Sequence, residues 1–171
     1  MTQITPRDVF RVPNQEPAGE QHNPTRRQVA LAGCALGLFV HQGLADSAEA
    51  CDLQKTASGI QYCDLRPGSG ASPKQGQMIR CHYEGRLVSN NAVFDSSYER
   101  RRPLNFKVGA QQVIKGWDIG ILGGEGLPAM QEGGKRRLII PPELGYGARG
   151  AGGIIPPNAA LQFDVELLGR R

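Results

Sequence analysis

Glycine and proline recur so often along this 171-residue chain, at 23 and 12 positions, that no long run of helical periodicity survives between them. Both residues end or bend regular elements, so short strands joined by many turns are favoured over a helical bundle. With 39% hydrophobic residues the chain can bury one core, and its length leaves little room for a second. Residues 78–87 and 160–168 read as strands. In the second, Leu161, Phe163, Val165 and Leu167 alternate with Gln162, Asp164 and Glu166, which puts one face in a core and the other in water. Shorter candidates at 60–65, 104–108 and 135–140 bring the count to about five, in a sheet expected to be antiparallel. One helix is predicted over 111–120, where Val113 and Trp117 lie four apart and Ile114 and Ile121 extend the apolar face. Residues 123–128 read as a flexible loop. Several strands and one segregated helix make an α+β domain.

That domain is expected to span 51–171 and to follow a leader at 1–50. Residues 1–25 are polar and without periodicity, too poor in apolar side chains to offset the entropy of folding alone. Next come Thr25-Arg26-Arg27-Gln28, an apolar run from Val29 to Val40, and the small-residue pair in Ala48-Glu49-Ala50, in the order of a signal peptide cleaved after Ala50. The run is too short to cross a hydrocarbon core of ~30 Å, so no stable membrane anchor is expected. The paired arginines resemble a twin-arginine export signal. A rival reading takes Leu31-Ala32-Gly33-Cys34 as a lipoprotein box, but only six residues separate Arg27 from Cys34, too few for an apolar region.

Most catalytic arrangements are missing. There is no Gly-x-Ser-x-Gly elbow, P-loop or His-Glu-x-x-His. Of three histidines only His82 lies outside the leader, so a histidine-based metal site or triad lacks members, and neither metal nor cofactor is expected. The densest basic cluster, Arg100 to Arg102, is short and has no interleaved aromatics, which argues against nucleic-acid binding. What remains is a set of aromatic and aliphatic residues beside turn residues: Tyr83, Phe94-Asp95, Val113-Ile114 with Trp117, Tyr146-Gly147, Ile154-Ile155-Pro156-Pro157 and Phe163. An apolar pocket with a few polar handles is the physical suggestion.

Five segments carry a resemblance. His82-Tyr83-Glu84-Gly85, Phe94-Asp95-Ser96-Ser97, Val113-Ile114-Lys115-Gly116-Trp117, Pro141-Pro142-Glu143-Leu144-Gly145-Tyr146-Gly147 and Ile154-Ile155-Pro156-Pro157 are similar, in order and spacing, to the signature segments of the FKBP family of peptidyl-prolyl cis-trans isomerases. The likeness runs from about Ser58 to the C-terminus. Cys51, Cys63 and the loop at 123–128 further resemble the chloroplast thylakoid lumen branch. The resemblance implies a bent antiparallel sheet wrapped around one short helix, with a substrate pocket between them. It places Trp117 on the pocket floor, Tyr83, Phe94, Val113, Ile114, Ile155 and Phe163 on the walls, and Asp95 and Tyr146 on a polar rim. Leu104, Gln112 and Ala151 depart from the family pattern, where an aromatic, an acidic residue and a histidine are usual.

The implied activity is rotation of X-Pro peptide bonds in folding or assembling proteins, with proline-containing polypeptides as clients, macrolide inhibitors as a further ligand class, and a monomeric enzyme. An FKBP-like domain that holds prolyl peptides or an assembly partner with little turnover is the alternative. The lumen branch implies a thylakoid lumen destination, and a bacterial periplasm is the other compartment compatible with the leader. Of the four cysteines Cys34 falls in the leader, and Cys81 shares an inward strand face with Ile79 and Tyr83. Cys51 and Cys63 are thereby left as the expected disulfide.

Overall fold

A computed structural model describes residues 51–124 and 126–170, the side chain of Arg170 excepted. The arginine pair, apolar run, Cys34 and cleavage site expected at 1–50 lie outside the described residues, as does Glu125. Among the described residues seven strands are formed: β1 (Gln54–Lys55), β2 (Gln61–Arg66), β3 (Met78–Leu87), β4 (Val93–Ser96), β5 (Leu104–Lys107), β6 (Lys135–Ile140) and β7 (Leu161–Arg170). One helix, α1 (Lys115–Leu122), precedes β6, and single 3-10 turns lie at Pro142–Leu144 and Gly147–Arg149. The strands make one antiparallel sheet in the order β1-β2-β6-β7-β3-β4, with β5 also paired to β3. The α+β class and the single helix agree with the sequence.

Strict alternation builds the core. Ile79, Cys81, Tyr83 and Leu87 of β3 and Leu161, Phe163, Val165 and Leu167 of β7 are all buried on one face of the sheet. The helix lies against that face through two glycines. A Cβ on Gly116 would come within 2.5 Å of Ile140 Cγ2, and one on Gly120 within 2.5 Å of Leu138 Cδ1. One methyl at either position would push α1 off β6, and with it the buried Trp117 and Ile121.

The sheet has seven strands instead of about five because β1 has two residues and β4 four, too short to display alternation. The helix begins at Lys115, four residues later than expected. Ile114 is still extended, with ψ 146, and Gly109 and Gln111 have φ of 72 and 55. Asp118 of the first helical turn accepts the Gly109 N–H at 2.7 Å and so fixes this approach. Val113 and Trp117, four apart in sequence, are therefore not one turn apart on a helix. Two described residues of the expected flexible loop are held more firmly than its composition suggests. Gly124 and Leu127 exchange backbone hydrogen bonds of 2.8 and 3.0 Å, and Leu127 belongs to the core.

Two long-range ties brace the region around β2. Arg136, 2% exposed, donates to both carboxylate oxygens of Asp64 at 2.6 and 3.0 Å. Its Nη1 also donates to the Gly120 and Pro128 carbonyls at 3.0 and 2.7 Å, and its guanidinium lies 5.1 Å from the Tyr62 ring centre. One cation thus joins β2, β6, the end of α1 and the loop after it. The second tie is a Cys51–Cys63 disulfide with a Cα separation of 5.9 Å, while Cys81 is a buried free thiol.

Candidate active site

α1 brings Trp117 to the centre of a cluster of aromatic rings carried by the strands. Its ring is 3% exposed and met edge-on by Tyr83 of β3 at 4.9 Å and Phe163 of β7 at 5.3 Å. Phe106 of β5 tilts against it at 5.8 Å. Phe94 continues the wall, standing edge-on to Phe163 at 5.5 Å. Such geometries set the positive edge of one ring against the negative face of another. The indole Nε1–H is buried and has no acceptor among the described residues.

Phe94 reaches this position because the β3–β4 ladder is irregular. Gly85 pairs with Asp95 and Arg86 with Val93, so Phe94 is the extra residue of a bulge, and bulges re-aim side chains. The neighbouring Asp95 is aimed with it. The Tyr83 hydroxyl donates to one oxygen of the Asp95 carboxylate, and Arg100 Nη1 donates to the other. Arg100 Nη2 closes the triangle by donating to the Tyr83 hydroxyl oxygen at 2.7 Å, with its guanidinium carbon 5.6 Å from the Tyr83 ring centre. Burial raises the Tyr83 phenol well above the usual tyrosine range, and its bond to the Asp95 carboxylate adds to the shift. Tyr146, which precedes the second 3-10 turn, is pushed up to about 12, first by burial and then by the charge of Asp95. Both phenols therefore stay protonated and able to donate across the ordinary pH range.

Behind the wall, Ser97 holds Tyr83 by its backbone. Ser97 Oγ accepts the Tyr83 N–H at 2.7 Å and lies 3.1 Å from its carbonyl oxygen, while the Ser97 N–H donates to that carbonyl at 3.0 Å. Ile155 is 3% exposed, belongs to the same buried core, and its backbone bonds twice to Ala151, at 2.9 and 3.0 Å. Val113 and Ile114 pack against the core just ahead of α1, partly buried. Val113 also lines a second cleft with Lys115, Asp118, Ile119 and Leu122, the flank of α1 that does not carry Trp117.

The structure thus places Tyr83, Phe94, Trp117 and Phe163 in one aromatic cluster and joins Asp95 to it through Tyr83. Arg100 and Phe106 are additions that the sequence did not single out. Arg100 was visible only as part of a short basic cluster, and Phe106 only as part of the strand candidate at 104–108. Gln112, a departure from the family pattern, accepts the Lys107 N–H at 2.7 Å through its side chain. Among the described residues no group of three or more His, Cys, Asp or Glu side chains is placed to hold a metal ion.

Comparison with known proteins gives a consistent picture. The family profile described as FKBP-type peptidyl-prolyl cis-trans isomerase matches residues 70–168. The chain is 45% identical over 151 residues to the chloroplastic peptidyl-prolyl cis-trans isomerase FKBP13 of Arabidopsis thaliana, covering 85% of this chain and 72% of that protein. It is 55% identical over 105 residues to an FK506-binding protein of Neisseria meningitidis serogroup A, covering 61% of this chain and 90% of the relative. It is also 44% identical over 123 residues to the photosynthetic NDH subunit of lumenal location 4 of Arabidopsis thaliana, covering 69% and 56%. Among solved structures, the crystal structure of AtFKBP13 superimposes with a TM-score of 0.68 at 50% identity, covering 71% of this chain and all of that one.

Proposed function

The chain belongs to the FKBP-type peptidyl-prolyl cis-trans isomerase family, and from that premise we propose that it turns X-Pro bonds of client polypeptides in the pocket around Trp117, without a covalent step. The observation that carries this reading is the cluster of Tyr83, Phe163 and Phe106 rings about a buried indole. Rotation about a peptide bond is opposed by ~18–20 kcal/mol because resonance separates charge across the C–N bond. Water stabilises that planar, charge-separated form. An amide drawn into a dry pocket loses some of this stabilisation, while a twisted amide with localised charge loses less, so the barrier falls. X-Pro bonds suit such a site because their two forms differ by only ~0.5–1 kcal/mol and interconvert slowly unaided.

In this account the Trp117 face receives the proline ring, and Phe94, Phe163 and Ile155 flank the side chain that precedes it. The Ile114 N–H lies at the helix N-cap, ahead of the intrahelical bonds, and donates to a substrate carbonyl together with the Tyr146 hydroxyl. Val113 completes the wall beside Ile114. Asp95 is an electrostatic and structural member of the rim. Rotation gives a general base no proton to remove, and the Asp95 carboxylate already accepts from Tyr83 and Arg100.

A second reading has a specific support: one relative bears the name of a photosynthetic NDH subunit. On that reading the pocket holds a prolyl segment of an assembly partner with little turnover. A protease-coupled assay of the full chain on a Leu-Pro peptide separates the two. Catalysis predicts faster cis-to-trans conversion at substoichiometric protein, and a holding module predicts binding with an unchanged rate. We place the protein in the thylakoid lumen on the strength of its chloroplastic relatives, with the periplasm as the compartment that the bacterial relative favours. Replacing Arg26 and Arg27 by Lys is expected to block export in a twin-arginine-competent system, and normal export would contradict that route. Macrolides of the FK506 class are expected to compete with peptide, as the name of the bacterial relative suggests.

A further inference from the structure

We infer that Gly85, through the side chain it lacks, sets the width of the subsite for the residue preceding proline. The inference rests on the reading of Phe94 and Phe163 as that subsite. Along β3 the inward positions are Ile79, Cys81, Tyr83, Gly85 and Leu87, all buried, and only the fourth leaves a hole in the inner face. Two rings fill it. A Cβ built on Gly85 would lie 2.7 Å from both Cε2 and Cζ of Phe94 and 2.8 Å from Cε1 of Phe163. Gly85 is the Cα partner of Phe163 on β7 and of Asp95 on β4, so it sits between the two strands that carry the wall. The edge-on contact of Phe94 with Phe163 is made directly over its Cα hydrogens.

Backbone freedom does not account for this glycine. Gly85 does not adopt a positive φ, so alanine can take the same main-chain conformation and the conflict is one of space alone. Of the two rings, Phe163 is the less able to yield. It is 4% exposed and held between Trp117 at 5.3 Å and Tyr83 at 6.4 Å. Phe94 is half-buried and stands on a bulge of the edge strand β4. A methyl group at position 85 therefore displaces Phe94 outward and opens the subsite. A bulky apolar side chain loses its contact with that ring, and a small one, which makes little contact, loses almost nothing.

The test uses the full chain as wild type, Gly85→Ala, Phe94→Leu and the double variant, with Leu-Pro and Ala-Pro peptides in an isomerisation assay and Trp117 fluorescence as a check of folding. The wild type should favour Leu-Pro, and Gly85→Ala should lower the Leu-to-Ala ratio of kcat/KM by roughly 5- to 10-fold. In the Phe94→Leu background, which removes the ring that yields and leaves only the 2.8 Å approach to the fixed Phe163, Gly85→Ala should change the ratio no further. If Gly85→Ala alone does not fold, the double variant decides: a ratio equal to that of Phe94→Leu supports the inference, and a further drop contradicts it. A wild-type preference that survives intact in folded Gly85→Ala overturns this inference and leaves the isomerase reading standing. A wild type that accelerates neither peptide overturns both.

Discussion

Asp95 lies between a phenol and a guanidinium, and that pairing decides what it can do. Its side chain is 8% exposed while that of Arg100 is 44% exposed, so removing the carboxylate leaves behind a cation that water can solvate. Asp95→Ala is accordingly expected to cost about 1 kcal/mol of stability, the loss of an acceptor for the Tyr83 hydroxyl. Activity should fall about ten-fold as that hydroxyl loses its anchor and the rim loses its negative charge. Thermal melts beside isomerisation rates check the split. Glu166 is a contrasting acid on the outer face of the sheet. Burial pushes its pKa up, but Arg66, bonded at 2.5 Å, and the Tyr98 hydroxyl, at 2.8 Å, more than offset this and hold it below the ordinary glutamate value. A lowered folded-state pKa gives stability that is present above the unfolded value of ~4.3 and is lost as pH falls through the folded one. Wild type should therefore lose its advantage over Glu166→Gln as pH drops below about 4, which melts across that range measure. The individual residues were unevenly legible in the sequence. Trp117, Tyr83, Phe94 and Phe163 were legible as a set through the FKBP resemblance, whereas each alone reads as an ordinary core residue. Arg100 was not legible, because nothing in a run of three arginines says which one turns back to a carboxylate five residues earlier.

Strands long enough to alternate were legible as elements, and short ones were not. β3 and β6 begin and end where the sequence put them; Ile79, Cys81, Tyr83 and Leu87 recur inward along β3, whereas β6 has only Leu138 and Ile140 as apolar inward residues, with Arg136 in the third inward place. β4 escaped because its bulge breaks the period at Phe94, the position where the pocket needs a ring. The late start of α1 was hidden for a similar reason: the Asp118 bond to the Gly109 N–H is a tertiary constraint that helical spacing does not register. The disulfide also acts on elements. It ties the segment ahead of β1 to β2, where β1 holds on by only two Cα pairs and the Tyr62 hydroxyl donates to Gln54 at 2.8 Å. Closing a loop of this size contributes on the order of 3 kcal/mol, so reduction should free β1 before it reaches the pocket and lower stability more than activity. Burial pushes the Cys81 thiol up to about 12 and leaves it unreactive in the folded protein. For a chain beginning at Cys51, alkylation at pH 8 should therefore add no label to the native protein, one after denaturation without reductant, and three after reduction. Three labels without reductant would remove the disulfide.

For the molecule as a whole, the pocket stands on a sheet and helix whose relative placement depends on a few contacts far from the chemistry. Arg136 is the clearest. Its guanidinium serves Asp64 and two main-chain carbonyls at once, a fork that lysine cannot reproduce. Arg136→Ala is expected to cost about 3 kcal/mol in denaturant unfolding, and Arg136→Lys to recover little of it. The sequence showed only a basic residue within the strand candidate at 135–140, and without the partners supplied by α1 and the following loop that position carried no meaning. The central claim is that this fold accelerates prolyl rotation by enclosing the bond, with no proton transferred and no covalent intermediate. Its most direct test is the catalysed cis-to-trans rate of a Leu-Pro peptide with the full chain in H2O and in D2O. The account predicts clear acceleration in both solvents with a rate ratio of about 1. No acceleration, or a ratio of about 2 or more, would contradict it.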